Sequence, residues 1–362
     1  MTLSPTTTEL LARARSDFRM GVPVVLKMSG ISALAVPAET ISKERLADIL
    51  AIERPVLAIT ARRAETLKAR SYDGDIARIA LPDGVDIDWI GAIADPSGDL
   101  DSPMKGPLHT VRDGDASLHR AAILLAKEAR LLPAVLVVEL RERGDLPALG
   151  GLTSIELSEV KPIISASSPL HSIVSASLPL GVSENSRLHV FRPEDGADEH
   201  YAIEIGRPDR DEPVLVRLHS ACFTGDLLGS LKCDCGPQLH AALRKMGEEG
   251  AGVLLYLNQE GRGIGLANKM RAYSLQNQGF DTVEANHRLG FEDDERDFRI
   301  GTGILHELGF HSVRLLTNNP AKVRMMEANG IKVVERVPLK VGLNPLNVKY
   351  LDTKAKKSGH IL

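Results

Sequence analysis

The feature that most limits the fold is the stretch between Ser312 and Val337, where SVRLLT, NNPAKVRMMEANG and IKVVERV follow one another as strand, helix and strand. Pro320 stands near the helix start and Gly330 just past its end, where a fixed φ and a left-handed residue are favoured. The same alternation runs through the rest of the second half. EPVLVRLHS reads as a strand, Gln238 to Glu249 as a helix, GVLLYL as a strand and Ile264 to Gln278 as a second helix. In the first half VPVVLKM (22–28), VLAIT (56–60) and AVLVVEL (134–140) suit buried strands. Leu118 to Leu131 spaces Ala121, Ile123, Leu124, Leu125 and Ala129 on an apolar helical face. Between about Gly150 and Arg187 the composition turns to Ser and Pro, with turn signals and no sustained helical period. With 362 residues available, these patterns predict an α/β protein of the α+β type in two domains. The domains are 1–165 and 188–345, joined by a linker over 166–187 and followed by a polar, lysine-rich tail over 346–362.

Charge and cysteine usage exclude several classes. Lys+Arg 44 against Asp+Glu 48 gives a formal net charge of -4, and no long basic block occurs. A nucleic-acid coat or a membrane-surface role is therefore not expected. No uncharged apolar run of about 18 residues is present, so no membrane span is expected. The start MTLSPTTTELLARARSDFRM lacks the apolar centre of a signal peptide. Three cysteines cannot pair evenly, and the composition fits a reduced, cytoplasmic protein.

All three cysteines, Cys222, Cys233 and Cys235, fall in ACFTGDLLGSLKCDCG. Free cysteines are often small buried hydrophobes, but this crowding favours a chemical reason. Thiolates are soft zinc ligands, Cys-x-Cys lets adjacent sulfurs wrap one ion, and a loop holding Gly225 and Gly229 can return the third. A structural site needs four protein ligands, and His219 is the only nearby candidate for the fourth. Three ligands leave one position open, so a catalytic zinc is favoured. The H-x-E and P-C-x-x-C spacing of a zinc base deaminase is absent.

Downstream, QEGRGIGLANKM sets Gly261, Gly263 and Gly265 at a strand-to-helix transition, where backbone N–H groups can approach an anion. Turns need glycine in any case, but Arg262 inside this one can grip phosphate bidentately. The stretch GFEDDERDF packs Glu292, Asp293, Asp294, Glu295, Arg296 and Asp297 together. Acidic runs are commonly solvated loops, and an arginine among carboxylates also suits phosphoryl chemistry. The spacing leaves both readings open.

Taken together, RLHSACFTGD, LKCDCG, QEGRGIGL, KMRAYSLQNQGFDTVEANHRLGF, DDERDF and RLLTNNPAKV resemble GTP cyclohydrolase II, the entry enzyme of riboflavin biosynthesis, from Arg187 to about Leu362. The resemblance implies zinc- and magnesium-dependent hydrolysis of GTP to 2,5-diamino-6-(5-phospho-ribosylamino)pyrimidin-4(3H)-one, formate and pyrophosphate, in a homodimer. It implies Cys222, Cys233 and Cys235 as the zinc ligands, and Mg²⁺ held with the GTP phosphates. It implies GTP contacts at Arg217, Leu218, His219, Ser220 and Ala221, at Gln238, at Glu260, Gly261 and Arg262, and at Thr282, Thr317 and Lys322. Asp294 falls at the position of the proton acceptor, Arg296 at that of the nucleophile toward the α-phosphorus, and Tyr273 at a tyrosine of the ring-opening half. Three positions depart from the family pattern: Ala221 where glutamate is common, Lys232 where arginine is frequent, and Asn258 where arginine often precedes QEGR.

Pro103 to Leu140 resembles a diverged end of 3,4-dihydroxy-2-butanone 4-phosphate synthase, with His119 at its histidine-bearing turn. That synthase also needs an early acidic metal loop. The corresponding VVLKMSGISALAV contains no Asp or Glu, so the first domain is expected to keep the fold without the activity and His119 to be a surface or packing residue. Three other readings stand beside this one: a bifunctional enzyme with an active synthase, a non-catalytic GTP-binding zinc protein, and a cyclohydrolase of another pathway.

Overall fold

Six strands of the first half form one sheet: β1 (Val24–Met28), β2 (Ile31–Pro37), β3 (Val56–Thr60), β4 (Ile76–Ala80), β5 (Ala134–Glu139) and β6 (Ser154–Glu156), in the order β4-β3-β5-β2-β1-β6. Every neighbouring pair is antiparallel except β1 with β6. β1 and β2 are closed by Ser29 (φ 50) and Gly30 (φ 82), and Met28 pairs directly with Ile31. Two left-handed residues in succession are what the tightest hairpin turn demands. This half also holds the helices α1 (Thr7–Arg19), α2 (Lys43–Ile52), α3 (Ala61–Thr66), α4 (Ile87–Ala94) and α5 (Ser117–Glu128). α1 starts on a capping box of Thr6 and Glu9. It buries Leu11, Ala14 and Phe18 with Leu118, Ala122, Leu125 and Ala126 of α5 against Val24, Leu26, Val135 and Val137 of the sheet. Of the residues expected on the apolar face of α5, Ile123, Leu125 and Ala129 are buried and Ala121 packs against the same cluster, whereas Leu124 is exposed.

The computed structural model describes residues 3–140, 149–159, 168–348, 352, 356 and 361. Most of the expected tail, and residues 166 and 167 of the expected linker, lie outside the described residues. The rest of that linker is not a linker but holds a strand, β7 (Leu170–Ser177). Nearly every side chain of β7 is exposed, so it carries no apolar alternation and is held by backbone pairing to its neighbour β8 (Ser186–Pro193).

Among the described residues the second sheet has seven strands: β7, β8, β9 (His200–Ile205), β10 (Val214–Ser220), β11 (Gly252–Leu257), β12 (Ser312–Leu316) and β13 (Lys332–Val337), in the order β13-β12-β10-β11-β9-β8-β7. β13, β12, β10 and β11 run parallel, and β9, β8 and β7 complete the sheet antiparallel. Parallel neighbours need crossovers, supplied here by α6 (Cys235–Glu249) between β10 and β11 and α10 (Pro320–Ala328) between β12 and β13. α10 has Pro320 in its first turn and Asn319 capping the Ala321 N–H. α6 begins three residues earlier than the apolar period indicates, because Cys235, Gly236 and Pro237 form its first turn without contributing to the period. α9 (Arg299–Glu307) covers one face of the sheet with Ile304 and Leu305, and α6 the other with Ala242 and Met246.

Two further helices, α7 (Gly265–Asn277) and α8 (Thr282–Leu289), differ from the expected division. The chain forms two compact units, one of Met1–Ala166 with Ala267–Glu295 and the other of Ser167–Leu266 with Arg296–Leu362. The reason lies in α7. Its Arg271 donates from Nε to Asp95 at 3.0 Å and from Nη2 to Glu39 at 2.9 Å, and Asn268 donates to the carbonyl of Arg130 at 3.0 Å. Among the described residues no helix is long and apolar enough to cross a membrane.

Candidate functional site

Three parallel strands, β12, β10 and β11, end on the same edge of the second unit, the edge where open parallel sheets bind ligands. Alternation along β10 sends Val216 and Leu218 into the core beneath α9, while Arg217 and His219 share the opposite face with Leu215, which packs with α6. The chain then leaves β10 through Ala221, whose N–H donates to the carbonyl of Leu257 at 2.7 Å, and enters the cysteine loop.

Cys222 opens that loop, Phe223–Leu227 makes one wide helical turn, and Cys235 begins α6. The three sulfurs lie within 4.8 Å of one another, with 3.7 Å between those of Cys222 and Cys233. None of the three is in a disulfide, and Cys222 and Cys233 are buried. Gly225 permits this approach. A Cβ there would lie 2.8 Å from the sulfur of Cys233 and 3.0 Å from that of Cys222. The crowding by Cys222 pushes the Cys233 thiol above its ordinary range. Three thiolates so close repel one another, and a soft divalent cation is the charge that lets them share the space. The donor set therefore fits zinc. His219, the candidate fourth ligand, does not join it: its Nε2 sits 3.0 Å from both carboxylate oxygens of Asp226. Among the described residues no fourth His, Cys, Asp or Glu closes the set.

Asp226 was not singled out by sequence. Besides His219, it accepts from the Tyr256 hydroxyl and from the Cys222 N–H, each at 3.0 Å. Burial lowers the pKa of His219, and burial with the Asp226 charge beside it holds the Tyr256 hydroxyl well above its ordinary range. Arg217 is buried as well, which lowers it to about 10. It donates to the carbonyl of Leu316 at 3.1 Å and to Gln238 at 2.5 Å, and Gln238 in turn donates to Asp234.

The glycine turn after β11 is unusual in its backbone. Gly261 (φ 64), Arg262 (φ 63), Gly263 (φ 96) and Gly265 (φ 86) all lie in the left-handed region, and for Arg262 that conformation is strained. Glu260 ties this turn to the cysteine loop, accepting from the Phe223 N–H at 2.6 Å and from the Gly261 N–H at 3.0 Å. At the ends of β10 and β12 the cations gather. Lys322 donates to the carbonyl of Leu218 at 3.1 Å, and Arg296 to the Ser220 hydroxyl at 3.2 Å. Both stand over the ring of Phe298, Arg296 at 4.6 Å and Lys322 at 5.0 Å. Phe298 was also missed; its only signal is an aromatic residue two places after Arg296. Thr317 directly follows β12, its hydroxyl accepting from the Asn319 N–H at 3.0 Å.

The structure thus brings together, within the second unit, Arg217 with Gln238, Glu260 with the cysteine loop, and Arg296 with Ser220. Tyr273, Thr282 and Asp294 belong to the first unit. There Lys269 lies 5.7 Å over the Tyr273 ring, and Thr282 opens α8 behind an Asp281 cap. The acidic run is not a bare solvated loop. Glu292 pairs with Arg62, Asp293 with His287 and Glu295 with Lys127 in the first unit, and Asp297 pairs with Arg299 in the second. Of the departing positions, Asn258 is occupied structurally, its side chain donating to the carbonyl of Glu199 at 2.5 Å. His119 is buried on α5, where burial lowers its pKa to about 4.

A model of the GTP cyclohydrolase II family matches residues 171–338. The chain is 42% identical over 357 residues to a GTP cyclohydrolase-2 of Azospirillum brasilense, covering 96% of this chain and 93% of that one. It is 59% identical over 175 residues to a GTP cyclohydrolase-2 of Azotobacter vinelandii, covering 48% of this chain and 84% of that one. It is 37% identical over 366 residues to a riboflavin biosynthesis protein RibBA of Parabacteroides distasonis, covering 90% of each.

Proposed function

The chain belongs to the GTP cyclohydrolase II family, and we propose that it opens the guanine imidazole of GTP at the cysteine triad, with release of formate and pyrophosphate. It is a hydrolase of riboflavin biosynthesis, acting at the first step. The observation that carries the mechanism is the convergence of three sulfurs within 4.8 Å. Cys222, Cys233 and Cys235 would hold zinc, which when bound supplies a Lewis acid and an activated water at neutral pH for attack at C8 and hydrolysis of the formamide. Mg²⁺ would be held chiefly through phosphate oxygens, as an ion that dehydrates reluctantly usually is.

The chain's own residues divide the remaining work. Arg262, Arg296 and Lys322 offset the charge of the triphosphate, and Gly261 is a further nucleotide contact. Leu218, His219, Ser220, Ala221, Gln238, Glu260, Thr282 and Thr317, with Arg217, complete the GTP contacts. A guanidinium can attack the α-phosphorus only after losing a proton against a pKa above about 12. Asp294, two residues before Arg296, is the acceptor for that proton. Tyr273 serves the ring-opening half. The first unit is a synthase-like domain without synthase activity, because β1 and β2 offer no carboxylate to a divalent ion. The protein acts in the cytoplasm as a homodimer.

The test is to incubate zinc-loaded protein with GTP and Mg²⁺ while following formate, pyrophosphate and nucleotide masses together. Stoichiometric formate and pyrophosphate with the diaminopyrimidine product is the expected result. Zinc and GTP binding without formate would overturn it in favour of a binding protein, and turnover of ribulose 5-phosphate would show the first unit to be an active synthase.

A further inference from the structure

Asp226 is assigned above to neither metal nor nucleotide, yet its carboxylate is engaged from three sides. One oxygen accepts from both the Cys222 N–H and the Tyr256 hydroxyl at 3.0 Å, and His219 Nε2 lies 3.0 Å from each oxygen. Asp226 also donates its own N–H to the carbonyl of Cys222 at 2.7 Å, so the backbone of this cysteine is gripped at both polar groups. The His219 ring stacks on Tyr256 at 5.6 Å and 22°, and only 7% of the Asp226 side chain and 3% of the His219 side chain are exposed.

A carboxylate only accepts, so the proton of a neutral His219 must sit on Nε2, leaving Nδ1 as an acceptor. Among the described residues Nδ1 is buried and meets no donor, a costly state for a polar atom unless a bound group supplies one. Its neighbours on β10 and α10, Arg217 and Lys322, are among the proposed nucleotide contacts.

We propose that Asp226 is a positioning residue: it fixes the backbone that aims the Cys222 sulfur, and it holds His219 in the Nε2–H tautomer with Nδ1 offered as an acceptor to a donor group of the nucleotide. This rests on the reading of the cysteines as a metal site. Outer partners of this kind typically account for about ten- to a hundredfold in metal affinity. Zinc affinity of full-length Asp226→Ala, read by competition with a chromophoric chelator, falls by about that factor while the circular dichroism spectrum stays that of the wild type. In wild-type protein labelled with ¹⁵N at histidine, the His219 signal, assigned by its loss in His219→Gln, reports a protonated Nε2 and a bare Nδ1. A folded Asp226→Ala that binds zinc as tightly as the wild type overturns the proposal. So does a wild-type His219 carrying its proton on Nδ1, and this measurement decides the matter alone if Asp226→Ala does not fold. Zinc binding that is absent from the wild type, or unchanged in Cys233→Ser, defeats the metal reading instead, and the tautomer still reports on Asp226.

Discussion

The turn between β1 and β2 is two residues long and carries no ligand, whereas the connection leaving β10 carries Cys222 and Cys233 and delivers Cys235 as the first residue of α6. The difference follows from strand direction. Antiparallel neighbours can be closed by a minimal hairpin, and the first sheet does so at Ser29 and Gly30. Parallel neighbours must return over the sheet, and the extra chain this demands at β10, β11 and β12 is where the cysteines, the glycine turn and the capped helix of Lys322 are found. A sheet acquires room for chemistry where its connections are forced to be long.

The contrast breaks most directly at the sulfurs. Cys233→Ser should lower formate release by at least about a thousandfold, the scale of losing a principal electrostatic group of an active site, and should lower bound zinc in parallel. Formate release at the wild-type rate from a metal-poor variant would remove the chemistry from the β10 connection. Next in size is the pair at the phosphate end. Arg296→Ala should cut both pyrophosphate release and turnover by about 10²- to 10³-fold. Tyr273→Phe should slow ring opening by about 10²-fold while pyrophosphate still leaves. Equal loss of pyrophosphate release in both variants would erase the division of roles.

Smaller effects sharpen the comparison. Gly225→Ala places a Cβ 2.8 Å from the Cys233 sulfur, so it should destabilise the second unit by about 1 to 3 kcal/mol and loosen zinc, as denaturant midpoints with and without metal would show. The first unit should respond to acid instead. His119 has its pKa lowered from 6.5 to about 4, so the unfolded chain binds the proton more readily. The stability this gives is full above pH 6.5 and is lost as pH falls toward 4, by roughly 2 kcal/mol at pH 5. Trp89 on α4 is the only tryptophan in the chain, and its fluorescence should report a lower urea midpoint at pH 5 than at pH 7. His119→Leu should flatten that dependence, and an unchanged slope would assign the acid sensitivity elsewhere.

What could be read without coordinates follows from the range of the interactions involved. The SVRLLT strand, its Pro-capped helix and the next strand are encoded locally, and they form at the expected places. The cysteine cluster was legible because three residues of a scarce type stand close in sequence. Asp226 was not, since a single carboxylate between Gly225 and Leu227 gives no sign that a histidine, a tyrosine and a backbone N–H converge on it. Phe298 hid for the same reason, its two cations arriving from separate elements. β7 escaped because a strand with nearly all its side chains exposed has no apolar period to detect. The joining of residues 267–295 to the first unit depends on ion pairs such as Arg271 with Glu39, and no local pattern announces a partner so far away.

That last pairing spans 232 positions along the chain, and its consequence is temporal. During synthesis from the N-terminus, residues 1–166 emerge long before α7 and α8 exist, so the first unit must wait for most of the second to be made before it can finish folding. Closure over such a separation is slow compared with local helix and hairpin formation. The nascent protein therefore passes through a stage in which Glu39, Asp95 and the carbonyl of Arg130 face water, and this interval is when a chaperone has most to offer.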